Sequence, residues 1–269
     1  MNLSNQLPSG GDARGVDSEE GRPNALGSAD AEAHRILALS EERGLAVRVM
    51  GGVAVCMRCP SASRAPLVRG YADIDFASLG SQRAALLELF ESAGYEPHAE
   101  FNALHGQRRQ FYWNPELHCE ADVFLDTFTM CHEMDFRARL NVEADTLPLA
   151  ELLLFKLQVM ETNDKDYKDA LALLADHPIA SHGIDGDYVA EYLAADWGWW
   201  RTATLVLERV GQYAVELPEF HQLPAVARSI RELQERIERQ PKSRRWKLRA
   251  RVGERKRWYE LPEDSLQPE

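Results

Sequence analysis

Large apolar side chains are almost absent from residues 1 to 28, then return along the chain in two rhythms. The first stretch is rich in Gly, Ser, Asn, Asp and Glu and cannot bury enough surface to offset the entropy of ordering, so a flexible tail is expected. From Ser28 or Asp30 a helix is predicted through Ala31, Ile36, Leu37 and Leu39, stopping at Gly44. Leu45 to Met50 is a short β-rich run closed by Gly51 and Gly52, and Val53 to Met57 opens a helix on those glycines before Pro60 and Pro66 break it. A second strand is predicted over Tyr71–Phe76, and a helix over Ser81–Ala93. Strands follow over Arg109–Trp113 and His118–Asp126, with Asn114-Pro115 turning between them.

After Pro148 the rhythm becomes helical. Leu149–Met160, Ala170–Ala175, Tyr188–Ala195 and Ala203–Val215 are predicted helices, with Trp197, Trp199 and Trp200 as a bulky core cluster. In Trp246–Val252 apolar and basic residues alternate, which predicts a half-buried strand with a cationic face. Gly253-Glu254 would turn it into Arg255–Tyr259. The expected fold class is α+β, a small mixed β-sheet with flanking helices followed by a mainly helical C-terminal part. The expected segments are a tail over 1–28, a sheet-bearing core over 29–146, a helical domain over 147–240 and a basic segment over 241–269.

Composition places few limits on this picture. Hydrophobic residues at 45% and charged residues at 28% suit a soluble globular protein. No apolar run approaches the roughly 20 residues that span a bilayer, and the N-terminus lacks a basic then apolar stretch. A cytoplasmic location with no membrane partner is the expectation. Cys56, Cys59, Cys119 and Cys131 are too scattered for a disulfide framework. The Cys56-x-x-Cys59 pair lacks a second pair at zinc-ligand spacing, so packing thiols are preferred to a zinc site.

Charge changes the picture more. The net charge is −12, yet Arg228 to Arg257 carries 13 Lys and Arg against 4 Glu, or +9, leaving −21 on the remainder. Cationic rows interleaved with aromatics suit RNA phosphates and stacked bases. The preferred alternative is internal, a basic segment neutralising an acidic body, with Trp246 and Trp258 in the core.

The chemistry concentrates in three carboxylates. Asp73 and Asp75 are one residue apart on a predicted strand, so both side chains share a face and repel unless a cation or water lies beside them. In His118–Asp126, Cys119, Ala121, Val123 and Leu125 share one face, which puts Asp122 on the other with Glu120 and Asp126. Two strands thus present three oxygen donors to one cleft, the environment magnesium prefers. A lone D-x-D is more often a solvated edge. Here the preceding strand ends in Gly51-Gly52, where a triphosphate can approach the backbone and a helix N-terminus offers N–H groups.

These residues resemble a known superfamily. Val49-Met50-Gly51-Gly52 and Arg69-Gly70-Tyr71-Ala72-Asp73-Ile74-Asp75-Phe76 look like the signature of the minimal nucleotidyltransferase fold, and within it resemble abortive-infection-type toxin nucleotidyltransferases. Cys119–Asp126 resembles the strand bearing the third carboxylate, placed at Asp122. Leu152–Leu174 resembles a downstream helix with a Lys before a basic-Asp-x-x-Asp cluster, here Lys156, Lys165-Asp166 and Asp169. The resemblance covers roughly Asp30 to Leu174, and the C-terminal third has no counterpart in it.

The resemblance implies a magnesium-dependent enzyme that moves a nucleoside monophosphate from a nucleoside triphosphate to an acceptor hydroxyl and releases pyrophosphate. Asp73, Asp75 and Asp122 would be both metal ligands and catalytic residues. Gly51, Gly52, Arg69 and Lys156 would bind the nucleotide. Taken alone, Lys156 equally suits a stem snorkelling to solvent, and Arg69 a surface turn. The acceptor stays open between transfer RNA or another RNA, a protein side chain and a small molecule; the toxin resemblance and the basic segment lean towards RNA, and the resemblance would add an antitoxin protein as a partner. A small-molecule nucleotidyltransferase of the aminoglycoside type and a catalytically silent binding module are the alternatives. A dehalogenase-type phosphatase or a metal-dependent glycosyltransferase fits the D-x-D context less well.

Overall fold

The structure, a computed structural model, describes residues 26–261. The expected tail falls almost wholly outside the described residues. In chain order the first half contains α1 (Leu26–Glu42), β1 (Arg48–Met50), α2 (Gly51–Arg58), β2 (Asp73–Ser78) and α3 (Arg83–Ser92), then β3 (Glu96–Pro97), α4 (Ala99–His105), β4 (Arg109–Asn114) and β5 (Cys119–Leu125). A hairpin of β6 (Thr127–Thr129) and β7 (Glu133–Asp135) follows. The remainder is helical: α5 (Leu149–Leu157), α6 (Asp164–Asp176), α7 (Gly186–Ala195), α8 (Trp197–Glu216), α9 (Leu223–Arg239) and α10 (Arg244–Val252).

The five long-range strands form a mixed sheet in the order β1-β2-β5-β4-β3. β2 and β5 run parallel, and the other neighbours are antiparallel. Parallel pairing requires a crossover, which α3, β3, α4 and β4 supply between β2 and β5. The fold is therefore α+β, with a mixed sheet followed by helices, as the two rhythms of the sequence predict.

One face of the sheet is closed by aromatic packing. Ile74 and Phe76 point there, Phe76 meets Phe90 of α3 edge-on at 5.7 Å, and Phe90 stacks on Tyr112 of β4 at 4.5 Å. The buried apolar cluster continues through Leu152, Leu153 and Leu171 to Val210 and Ile237, so α5, α6, α8 and α9 share it. The outer edge of β1 is covered by the chain leading into α5. Val49 N–H donates to the Asp145 carbonyl at 2.8 Å, and Leu147 N–H donates to the Val49 carbonyl at 3.0 Å.

Several expectations need correction. Trp246–Val252 is not a strand but lies within α10, and Arg255–Tyr259 forms no partner strand. Ser243 caps the helix by accepting the Trp246 N–H at 3.1 Å, and Arg, Lys, Leu and Ala are strong helix formers that outweigh the alternation. No residue of α10 is fully buried, and Leu248 is 61% exposed. Trp246 and Trp258 are half-buried against α8 rather than deep in the core, Trp246 on Trp200 and Trp258 on Trp197. β1 is also shorter than expected. Leu45 to Val47 approach it as irregular chain, although Val47 is fully buried.

All four cysteines are free thiols, with Cys59 and Cys131 buried. Among the described residues no helix is long and apolar enough to cross a membrane.

Candidate active site

The chain leaves β1 at Met50 and turns directly into α2 at Gly51, whose φ of +65° is left-handed. A Cβ at Gly51 would collide with the Asp75 carboxylate, and one at Gly52 would collide with the Arg69 guanidinium. The glycine pair therefore makes room for two charged side chains at the start of α2. Met50 gives no side-chain cap, which leaves first-turn N–H groups of this helix open to another acceptor.

Strand register assembles the carboxylates. Met50 pairs with Asp75 across β1 and β2, Asp75 with Asp122 across β2 and β5, and Asp73 with Glu120. Paired residues in adjacent strands point to the same face at about 4.8 Å spacing, so Asp73, Asp75, Glu120 and Asp122 form one acidic patch. Asp73 is exposed at its rim, Asp75 is half-buried and Asp122 is buried.

Burial, reinforced by Asp73 and Asp122, pushes the Asp75 carboxyl well above the ordinary carboxylate range, while Lys156 and Arg109 pull it back. Burial also raises Asp122, opposed by Arg109. Glu120 is raised by burial and by the same two aspartates, Asp73 and Asp122.

The cations nearby are committed to other carboxylates. Arg109 Nε donates to both oxygens of Asp122 at 2.7 and 2.9 Å, and its Nη2 adds a short contact to Oδ2. Arg69 forks onto Asp169 of α6 at 2.9 and 2.7 Å, with its guanidinium 4.1 Å from the centre of the Tyr71 ring. Lys156 Nζ lies 3.0 Å from Asp166 and 2.9 Å from Asp169. Burial alone would lower the pKa of that ammonium, but Asp169 and Asp166 outweigh it and raise it. Among the described residues no cation pairs with Asp73 or Asp75.

The seven residues singled out in the sequence thus converge. Gly51 abuts Asp75, Gly52 abuts Arg69, Arg69 and Lys156 share Asp169, and Asp75 lies beside Asp122. Lys165 is exposed and forms no ion pair among the described residues. Sequence reasoning missed Arg109 and gave Glu120 no role. The signal for Arg109 lay in the hairpin. Asn114 pairs with Cys119, and that register turns Arg109, Phe111 and Trp113 to the face of Asp122.

Among the described residues no three His, Cys, Asp or Glu side chains are gathered tightly enough to enclose a metal ion. The donor set nevertheless suits magnesium, which is commonly held by one or two carboxylates together with water and substrate phosphates. Asp73 and Asp75 are such a pair, all-oxygen and without a cationic partner. Asp122 would join them only after leaving Arg109.

No protein-family model matches the chain, and no curated protein matches it. Among solved structures, the antibiotic-resistance factor ANT(2'')-Ia is similar at 12% identity with a TM-score of 0.34, over 84% of this chain and 94% of that one. At that level the pairing assigns no role to any residue.

Proposed function

We propose that this protein is a magnesium-dependent nucleotidyltransferase that moves a nucleoside monophosphate from a nucleoside triphosphate to an acceptor hydroxyl. The observation that carries this reading is the in-register pair Asp75 and Asp122, with Asp73 on the same face, packed against the uncapped first turn of α2. A helix start with open N–H groups beside Asp73 and Asp75, which have no cationic partner among the described residues, is what a triphosphate with its cation requires.

Asp73 and Asp75 would hold magnesium. When bound, the ion supplies positive charge at the α-phosphate and at the departing pyrophosphate. The first-turn N–H groups of α2 donate to phosphate oxygens. Arg69 and Lys156, kept charged and oriented by Asp169, reach the triphosphate from the α6 side. Asp122, once free of Arg109, takes the proton of the acceptor hydroxyl, a task its raised pKa suits. The acceptor oxygen bonds to the α-phosphorus as the bond to pyrophosphate breaks. The sheet-bearing core over 29–146 carries the carboxylates, and the helical part over 147–240 contributes Lys156 and Asp169.

The grip of Arg109 on Asp122 favours a second reading, a module that binds a nucleotide without transferring it. Label transfer separates the two. The protein and its Asp73→Ala/Asp75→Ala variant are incubated with magnesium, each α-labelled triphosphate, and RNA, protein or small-molecule acceptors. Label transferred by the unmodified protein alone is the expected result. Magnesium-dependent triphosphate binding without transfer selects the second reading.

A further inference from the structure

A cavity opens at Arg109, the partner of Asp122. It has a volume of about 1140 Å³ and lies between the sheet edge, the start of α8 and the C-terminal segment. Its walls carry Arg108, Arg109, Arg245, Arg249, Lys256 and Arg257 against the carboxylates Glu133, Asp196 and Glu260. In a chain of net charge −12 that is a local inversion of sign. Asp196 is partly spoken for, since it caps α8 by accepting the Trp199 N–H.

Apart from Arg109, none of these cations has a carboxylate partner among the described residues. Among the described residues, Arg108, Arg245 and Lys256 are exposed and form no ion pair, and Arg249 donates only to the Gly253 and Lys256 carbonyls. Aromatic rings alternate with them. Arg249 lies 4.4 Å from the centre of the Trp197 ring, and Trp246, Trp258 and Tyr259 add half-buried faces. The Trp246 indole Nε1 is itself buried, with no hydrogen-bond partner among the described residues, so the ring meets the cavity by its carbon face.

We propose that this cavity is the binding groove for a single-stranded polynucleotide whose end delivers the acceptor hydroxyl to Asp122. Unpaired cations track a phosphate backbone, and aromatic faces stack its bases without demanding a sequence. A duplex has its bases already stacked and offers the rings nothing. Arg109 is the link. A phosphate arriving in the groove competes for its guanidinium and thereby frees Asp122. The binding site stands on the groove alone, whereas the acceptor role rests on the transfer activity proposed above.

The test is anisotropy of a fluorescent single-stranded RNA of about twelve nucleotides, titrated with the full chain at several salt concentrations. The expected result is salt-dependent binding stronger than for a duplex of the same sequence or for heparin. Arg245→Glu and Lys256→Glu should each weaken it roughly tenfold and flatten the salt slope by about 1. Trp246→Ala, which removes a stacking face, should lose roughly tenfold, and Trp246→Phe, which keeps one, should lose much less.

Thermal melting confirms that each variant is folded. Binding without transfer would sink the proposed activity and leave the groove standing. Absent binding, binding unaffected by the groove variants, or equal binding of heparin would overturn the groove whatever the transfer assay shows.

Discussion

The Arg69 guanidinium grips the Asp169 carboxylate, 100 positions further along the chain, through hydrogen bonds of 2.9 and 2.7 Å. Lys156 shares the same carboxylate at 2.9 Å, so one buried anion balances two cations from different parts of the fold. Removing only the anion leaves both cations without their shared counter-charge. Asp169→Asn should therefore cost about 3–5 kcal/mol in urea unfolding. Asp166→Asn should cost much less, because Lys156 keeps Asp169. Equal effects of the two variants would show that Asp169 is not the hub.

Gly51 predicts a different failure. Its left-handed φ strains any side chain, and the new Cβ would displace the Asp75 carboxylate. Gly51→Ala should lower stability by about 1–3 kcal/mol and abolish triphosphate binding. Gly44, also left-handed but with open space where a Cβ would lie, is the control. Gly44→Ala should show the strain without the binding loss.

His132 sets a pH dependence away from the carboxylates. It stacks on Trp199 at 5.0 Å, its Nε2 lies 2.8 Å from the Thr202 hydroxyl, and burial lowers its pKa from 6.5 to about 4 despite Asp196 nearby. The folded state resists protonation that the unfolded chain accepts. Its stability is thus fully present above pH 6.5 and falls as the pH drops towards about 4. The loss is up to about 3 kcal/mol. Stability measured against pH should be flatter for His132→Gln across that window. Parallel curves for the two proteins would show that the imidazole is not held neutral.

Much of this was legible in the sequence because it depends on short-range rules. Strand alternation placed Asp73 and Asp75 together and put Asp122 on the matching face, and Gly51-Gly52 marked where a strand becomes a helix. Which strands pair is a long-range matter, and so is the use of the glycines. They clear space for Asp75 and Arg69, a relation visible only once β1 lies beside β2. Arg109 escaped notice because its partner is set by hairpin register, not by spacing. The alternation in Trp246–Val252 misled because α8 offers that segment a surface to pack on and no free strand edge.

The proposed metal pair carries its own signature in stability. Burial and two neighbouring carboxylates raise the Asp75 pKa, so the folded state holds that proton more tightly than the unfolded chain. Its contribution is favourable in acid and is lost as the pH rises through the raised value, which makes ionised Asp75 a liability at neutral pH. Asp75→Asn removes the charge while keeping the shape. Without divalent metal it should raise the melting temperature at pH 8 by a few degrees, and the gain should shrink as the pH falls towards the ordinary carboxylate range. Magnesium should reverse the order. At about 10 mM, and for a dissociation constant near 1 mM, it would stabilise the unmodified protein by about 1.4 kcal/mol and the variant by far less. If magnesium shifts both melting curves equally, Asp75 is not a ligand. If the variant gains nothing without metal, the acidic patch is not strained in the way its burial requires.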